Sequence, residues 1–134
     1  MGELSKRKNY TTTIKAIAKL NNKNIHYLIC GEGPELLRLQ KLAKKLKIES
    51  QIHFLGFRED IKELLQISNI YISASKQEGL PRATMEAMAM GLPCIVSNIR
   101  GHIDLIEDNK GGYLCNNIQD FSSSILKLLN NPLR

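Results

Sequence analysis

The 134-residue chain is long enough for one domain with a hydrophobic core, and its 43% hydrophobic and 24% charged residues are typical of a globular protein. This composition excludes a disordered or fibrous chain. No apolar run approaches the roughly 20 residues that cross a membrane, and segment 1–9 is polar and basic. We therefore expect a cytoplasmic protein that makes at most peripheral contact with the inner face of the membrane.

Segments of helical periodicity alternate with short apolar runs along the chain. The segments with helical spacing are 10–20, 34–47, 61–67, 81–90 and 118–130. The segments typical of strands are 25–30, 51–55, 69–73, 93–97 and 113–115. Regular alternation of this kind predicts an α/β fold, in which a Rossmann-like parallel sheet carries helices on both faces, within a single domain over residues 1–134.

The net charge of +6 would suit a polyanionic partner. Segment 34–47 carries much of this charge at helical positions away from its apolar residues, which predicts a solvated face made of Arg38, Lys41, Lys44, Lys45 and Lys47. The chain has only three Phe and four Tyr, and they are not interleaved with basic residues, so base stacking has little support. The sequence therefore predicts no nucleic acid partner.

Three cysteines, Cys30, Cys94 and Cys115, each lie at or near the end of a short apolar run. A thiol in such a place behaves as a small hydrophobic group, so we expect reduced and buried thiols. No CxxC or HxxxH pattern occurs among these cysteines and the three histidines. The sequence therefore predicts no structural or catalytic metal and no other cofactor.

In open parallel sheets ligands bind beyond the carboxyl ends of the strands, so the strand-to-helix turns are the candidate site. The first turn carries Gly31 and Gly33, but the third glycine of a dinucleotide-binding fingerprint would fall at Leu36. A tight turn made by two glycines, followed by Pro34 in the first turn of a helix, is the simpler interpretation. Neither GxxxxGKS nor GxxxxGKT occurs, which excludes a standard phosphate-binding P-loop.

Two carboxylates eight positions apart bracket a predicted helix start, since Glu78 lies in the turn and Glu86 inside the helix. Gly79 lets the backbone approach a ligand closely, and Pro81 suits the first helical turn. The free N–H groups and the dipole of this helix favour a phosphate, while the carboxylates suit sugar and ribose hydroxyls. The alternative is that Glu78 is an acid favoured by the helix dipole and Glu86 a solvated residue.

Five segments form a series whose order and spacing are more specific than any one motif: residues 2–9, 29–34, 54–60, 78–93, and 100–106 with 112–114. The series resembles the retaining glycosyltransferases of family 4, also called group 1, and segment 78–93 matches their E-x7-E motif. The resemblance covers nearly the whole chain. It implies the C-terminal, donor-binding half of the GT-B fold, in which two Rossmann-like domains face each other.

The resemblance implies a role for each matching residue. Glu78 would contact the donor sugar, and Glu86 would bind the ribose. Gly79 and Leu80 would give backbone N–H groups to the diphosphate. Lys8 would neutralise the departing diphosphate, where negative charge develops in the transition state, so Lys8 and Glu78 are the candidate catalytic residues.

The remaining matches include departures from the family pattern. The turn around Arg58 resembles the place where the base is held by backbone contacts. Glu3 stands where many members carry an arginine that clamps the diphosphate, which leaves more of that task to Lys8. Arg82, at a position that is usually apolar or small, either supplies the missing cation or is simply an exposed side chain. The family's first strand of this domain, normally just before Gly2, and its C-terminal crossover helix have no counterpart in the sequence.

The resemblance implies a glycosyltransferase donor domain that transfers a hexosyl unit with retention, in surface polysaccharide or glycolipid synthesis. The donor would be a nucleotide diphosphate sugar, with UDP preferred to GDP as the nucleotide. The partner would be an N-terminal acceptor domain. A competing interpretation is a truncated or split-gene module that binds the nucleotide sugar without catalysis. A third, a nucleotide-sugar epimerase of the same fold, is disfavoured by the E-x7-E motif. An exposed sheet edge or apolar cleft wall would favour self-association.

Overall fold

The computed structural model of the protein describes residues 3–107 and 110–130. A short 3-10 helix, Lys6–Lys8, precedes the helices α1 Tyr10–Leu20, α2 Leu36–Lys45, α3 Ile61–Gln66, α4 Arg82–Ala89, α5 Arg100–Ile103 and α6 Ile118–Asn130. The strands are β1 Tyr27–Cys30, β2 Ile52–Gly56, β3 Tyr71–Ser73, β4 Cys94–Ser97 and β5 Gly112–Cys115. Helices and parallel strands alternate, which confirms the predicted α/β class.

Each predicted helix and strand is present, with boundaries that differ by a few residues. Helix α2 is shorter than the predicted segment 34–47, because Pro34 and Glu35 form a turn and Lys47 adopts a left-handed φ of 61°. Helix α5 and the 3-10 helix were not predicted. They have four and three residues, which is too short for a periodic pattern to appear in the sequence.

The described strands form two parallel sheets, one with the order β1-β2 and one with the order β3-β4-β5. No strand pairing joins β1 to β3 in this part of the chain. A groove of about 350 Å³ is lined by residues of both strands, and apolar side chains of the helices α1, α3 and α6 also line it. An apolar groove therefore lies between β1 and β3, the facing strands of the two sheets.

Two hydrophobic clusters hold the strands and helices together. The larger one joins α1, α2 and α6 to the strands and includes the fully buried Ile14, Ile95 and Phe121. The smaller one packs α4 on β3 and β4 and includes Ala87 and Val96. These clusters fix the ends of β3 and β4, where the candidate site lies.

The three cysteines are buried and free, as predicted, and burial raises the pKa of the Cys94 thiol to about 12. The predicted basic face of α2 is also confirmed, since Lys41 and Lys44 are exposed while Leu39 and Ala43 are buried. Within residues 3–107 and 110–130, no helix is both long and apolar enough to cross a membrane. The same residues contain no group of three or more His, Cys, Asp or Glu side chains arranged to hold a metal ion.

Candidate functional site

A cavity of about 340 Å³ lies where the 3-10 segment, the end of β3 and the start of α4 meet. Five of the residues singled out from the sequence line it: Lys8, Glu78, Leu80, Arg82 and Glu86. Segments 70 residues apart in the sequence thus meet at one site. The cavity is located beyond the carboxyl end of β3, as expected for a parallel sheet.

An ion pair joins the two candidate catalytic residues across the cavity wall. The Lys8 Nζ donates to Glu78 Oε2 at 2.7 Å, and the two side chains are only 18% and 11% exposed. Burial is the largest single effect on the pKa of Glu78 and raises it. The hydrogen bonds from Lys8 and, second, from Ser75 lower the pKa, and the net result lies below the ordinary value. Glu78 is therefore ionised at neutral pH and held toward Lys8.

Backbone contacts fix the segment that carries Lys8. Leu4 is fully buried, its N–H donates to the Glu32 carbonyl oxygen at 3.0 Å, and its own carbonyl oxygen accepts from the Glu35 N–H at 3.0 Å. Further along, the N–H of Lys76 donates to the Arg7 carbonyl oxygen at 2.8 Å. The segment is thus attached both to the turn after β1 and to the turn that contains Glu78.

The N-terminus of α4 faces the cavity without a cap. Pro81 occupies the cap position, and no side chain in the described part of the chain caps the helix. The N–H of Arg82 donates to the Leu80 carbonyl oxygen at 2.8 Å, and the first turn contains no acidic residue. Its N–H groups and dipole therefore favour an anion in the cavity. Arg82 and Glu86 are exposed on this helix and line the cavity.

Two of the predicted residues do not line the cavity. A Cβ atom added at Gly79 would meet no atom within 4 Å, so packing within the chain does not require glycine there. The Arg58 guanidinium pairs with Asp60 through two hydrogen bonds of 2.8 and 2.6 Å, and these bonds lower the pKa of Asp60. The Arg58 side chain is thus engaged outside the cavity, which leaves its backbone as the part available to a base.

Three tyrosines that the sequence analysis did not single out also line the cavity: Tyr10, Tyr27 and Tyr71. All three tyrosines are buried, and burial is the main cause of the raised pKa of each hydroxyl. The pKa of Tyr71 is raised to about 12. The Tyr71 hydroxyl accepts a hydrogen bond from Thr84 at 3.2 Å. Aromatic residues in apolar runs look like core residues in a sequence, so their position at the cavity could not be seen there.

A protein-family model described as "Glycosyl transferases group 1" matches residues 1–134. The chain belongs to the group 1 glycosyltransferase family. Among curated proteins, N-acetyl-alpha-D-glucosaminyl L-malate synthase of Bacillus anthracis is 34% identical over 111 residues, which cover 82% of this chain and 29% of that protein. An Escherichia coli enzyme, UDP-Gal:alpha-D-GlcNAc-diphosphoundecaprenol alpha-1,3-galactosyltransferase, is 32% identical over 105 residues, 76% of this chain and 27% of that enzyme.

Solved structures of the same fold class superpose closely on the chain. Alr3699/HepE of Anabaena in complex with UDP has a TM-score of 0.91 and 25% identity, over 97% of this chain and 38% of that protein. TarM of Staphylococcus aureus has a TM-score of 0.92 and 27% identity, over 98% of this chain and 28% of that protein. These structures are GT-B glycosyltransferases, which confirms the predicted fold class.

Proposed function

We propose that this chain is the donor-binding domain of a retaining hexosyltransferase, and that it holds a nucleotide diphosphate sugar in the cavity beside α4. The observation that carries the proposal is the convergence of Lys8, Glu78 and the uncapped N-terminus of α4 on one cavity. A cation and a helix N-terminus stabilise a diphosphate, and a fixed carboxylate accepts hydrogen bonds from sugar hydroxyls. The site thus offers complementary groups to both halves of the donor.

We further propose a role for each residue. We assign the diphosphate to Lys8, Arg82 and the Leu80 N–H, all of which line the cavity, and to the N–H of Gly79, which precedes Leu80. We assign the sugar to Glu78 and the ribose to Glu86, which lies four residues into α4. The Lys8 ammonium would then stabilise the negative charge of the departing diphosphate.

UDP is the nucleotide that we favour over GDP. The HepE structure contains UDP, a second HepE structure contains UDP-glucose, and the pneumococcal O-GlcNAc transferase GtfA was solved with UDP and GlcNAc. We further propose that binding needs no divalent metal, because Lys8 and the α4 N-terminus supply the positive potential.

The competing function is a module that binds the nucleotide sugar but does not transfer it. The chain spans about three tenths of the length of the curated relatives described above. We propose that an acceptor-binding domain completes the enzyme, which works in the cytoplasm with at most peripheral membrane contact, on a surface polysaccharide or glycolipid. Both functions require the same donor site, and they differ in turnover.

Calorimetric titration of the folded chain with UDP, with and without a chelator, tests the site. We expect weak binding that the chelator does not change, and we expect Lys8→Met to weaken it. Lys15→Met removes an exposed lysine of α1 and serves as the matched control. No detectable heat or NMR shift at millimolar UDP or GDP would reject the site.

A further inference from the structure

Helix α5 lies directly against the backbone of Glu78. A Cβ atom at Gly101 would lie 2.5 Å from the Glu78 carbonyl oxygen and 3.1 Å from the Glu78 Cβ, which is too close for any side chain. Glycine therefore permits a backbone contact between α5 and the residue that we assign to the donor sugar. The next residue of α5 is His102, whose ring contacts Ser97 at the end of β4 and Thr84 in α4.

His102 is fully buried, and its hydrogen bonds define its tautomer. Its Nδ1 lies 2.9 Å from the Ser97 carbonyl oxygen. Because a carbonyl oxygen can only accept, Nδ1 carries the proton and donates, which leaves a lone pair on Nε2, 3.5 Å from Thr84 Oγ1. Burial lowers the pKa of His102 despite this hydrogen bond, so the ring is neutral at neutral pH.

Two serines connect His102 to Glu78. The Ser97 hydroxyl donates to the Ser75 carbonyl oxygen at 2.5 Å. The single Ser75 hydroxyl proton is shared between the Gln77 carbonyl oxygen, at 3.1 Å, and the Glu78 carboxylate, whose pKa it lowers. His102 Nδ1 also lies 3.3 Å from the Ser97 hydroxyl oxygen, so a buried series of hydrogen bonds runs from α5 through the Ser97 side chain to the backbone of the turn that carries Glu78.

We propose that His102 is a positioning residue, which holds the Glu78 carboxylate toward Lys8 and the cavity through Ser97 and Ser75. The inference deepens the proposed function and rests on it for the role of Glu78. It explains why a polar, fully buried side chain stands in α5. Buried polar networks of this kind fix one geometry only when each member is hydrogen-bonded.

The test follows the titration of the Glu78 carboxyl by ¹³C NMR in the chain without nucleotide. We expect His102→Leu, which removes the donor to Ser97, to raise the Glu78 pKa toward its ordinary value. Ser97→Ala should cause a similar rise, and the double variant no further one, because both changes interrupt the same series. His102→Asn, whose amide can donate in place of Nδ1, should restore the wild-type titration.

Ile106→Ala is the control, because it removes a buried apolar side chain near α5 and lowers stability without touching these hydrogen bonds. We expect it to leave the Glu78 titration unchanged. An unchanged Glu78 pKa in Ser97→Ala and in folded His102→Leu would overturn the proposal, and so would an equal shift in Ile106→Ala. The readout needs no nucleotide, so a failure of UDP binding would leave its outcome unaffected.

Discussion

In the protein without ligand, Lys8 and Glu78 hold each other in an ion pair. The two side chains are mostly buried and 2.7 Å apart, so each stabilises the charge of the other. A bound diphosphate would compete with Glu78 for the Lys8 ammonium, and a bound sugar would supply hydrogen bonds to Glu78 in exchange. The pair therefore keeps Glu78 ionised and holds both side chains at the cavity.

Substitution of Glu78 and substitution of Glu86 should have different effects on nucleotide binding. We expect Glu86→Ala to weaken UDP binding by about 1.5–3 kcal/mol, the range for a hydrogen bond to a charged group, because it removes the ribose contact. Glu78→Ala should not weaken UDP binding, since it frees Lys8 for the diphosphate, but it should weaken binding of the nucleotide sugar relative to UDP. Calorimetry on both variants measures the difference.

Glu63→Ala, at an exposed acidic residue of α3, controls for the change in net charge and should leave the UDP affinity as it is in the wild type. If Glu78→Ala and Glu86→Ala weakened plain UDP equally, the assignment of one carboxylate to the sugar and the other to the ribose would be wrong.

The sequence predicted the charged residues of the cavity but not what surrounds them. Glu78 and Glu86 were found because their motif also contains glycine and proline at fixed positions, and Lys8 because segment 2–9 resembles the family's. The tyrosines and His102 carry no such local pattern. Their place at the site depends on which turns meet in space, and a single sequence does not specify that.

At the scale of elements, the glycine turn after β1 serves the N-terminal segment rather than a dinucleotide. A Cβ atom at Gly33 would lie 2.6 Å from the carbonyl oxygen and 2.8 Å from the amide nitrogen of Leu4. Glycine thus allows Leu4 to pack against the turn and to form its hydrogen bonds with Glu32 and Glu35. The turn thereby anchors the segment that ends in Lys8.

Gly33→Ala should therefore displace Leu4. We expect a loss of roughly 1–3 kcal/mol in the free energy of unfolding, the usual cost of overpacking, together with weaker UDP binding because Lys8 shifts. Denaturant unfolding and calorimetry measure the two effects. Glu32→Ala, an exposed side chain in the same turn, is the control and should change neither. Wild-type stability in Gly33→Ala would contradict this account of the turn.

The longer elements could be predicted because their apolar residues repeat with a helical or strand period. Helix α5 could not, since its four residues, Arg100–Ile103, are too few to repeat a pattern. The division of the strands into two sheets was also hidden, because residues 27–30 and 71–73 look like ordinary strands whether or not their edges are paired. Pairing is a property of neighbours in space.

At the scale of the whole molecule, the strand order explains the groove between the sheets. The common six-stranded dinucleotide-binding order is 3-2-1-4-5-6, which places its first strand between the second and the fourth. The orders β2-β1 and β3-β4-β5 match the two flanks of this arrangement, and the apolar groove lies between them. Tyr27 and Tyr71 line both the groove and the candidate site, so the two features share a wall.

In the proposed enzyme the cavity beside α4 binds the donor, and an acceptor-binding domain holds the second reactant. We expect the 134-residue chain to bind UDP but not to transfer sugar at a meaningful rate, because alignment with an acceptor contributes roughly 7–11 kcal/mol to lowering such a barrier. Exclusion of water would also be lost. The measurement is transfer and donor hydrolysis by the purified chain, repeated after fusion to an N-terminal domain from the same locus. Rescue by the fusion, abolished by Lys8→Met, would support the half-enzyme interpretation, whereas robust turnover by the chain alone would refute it.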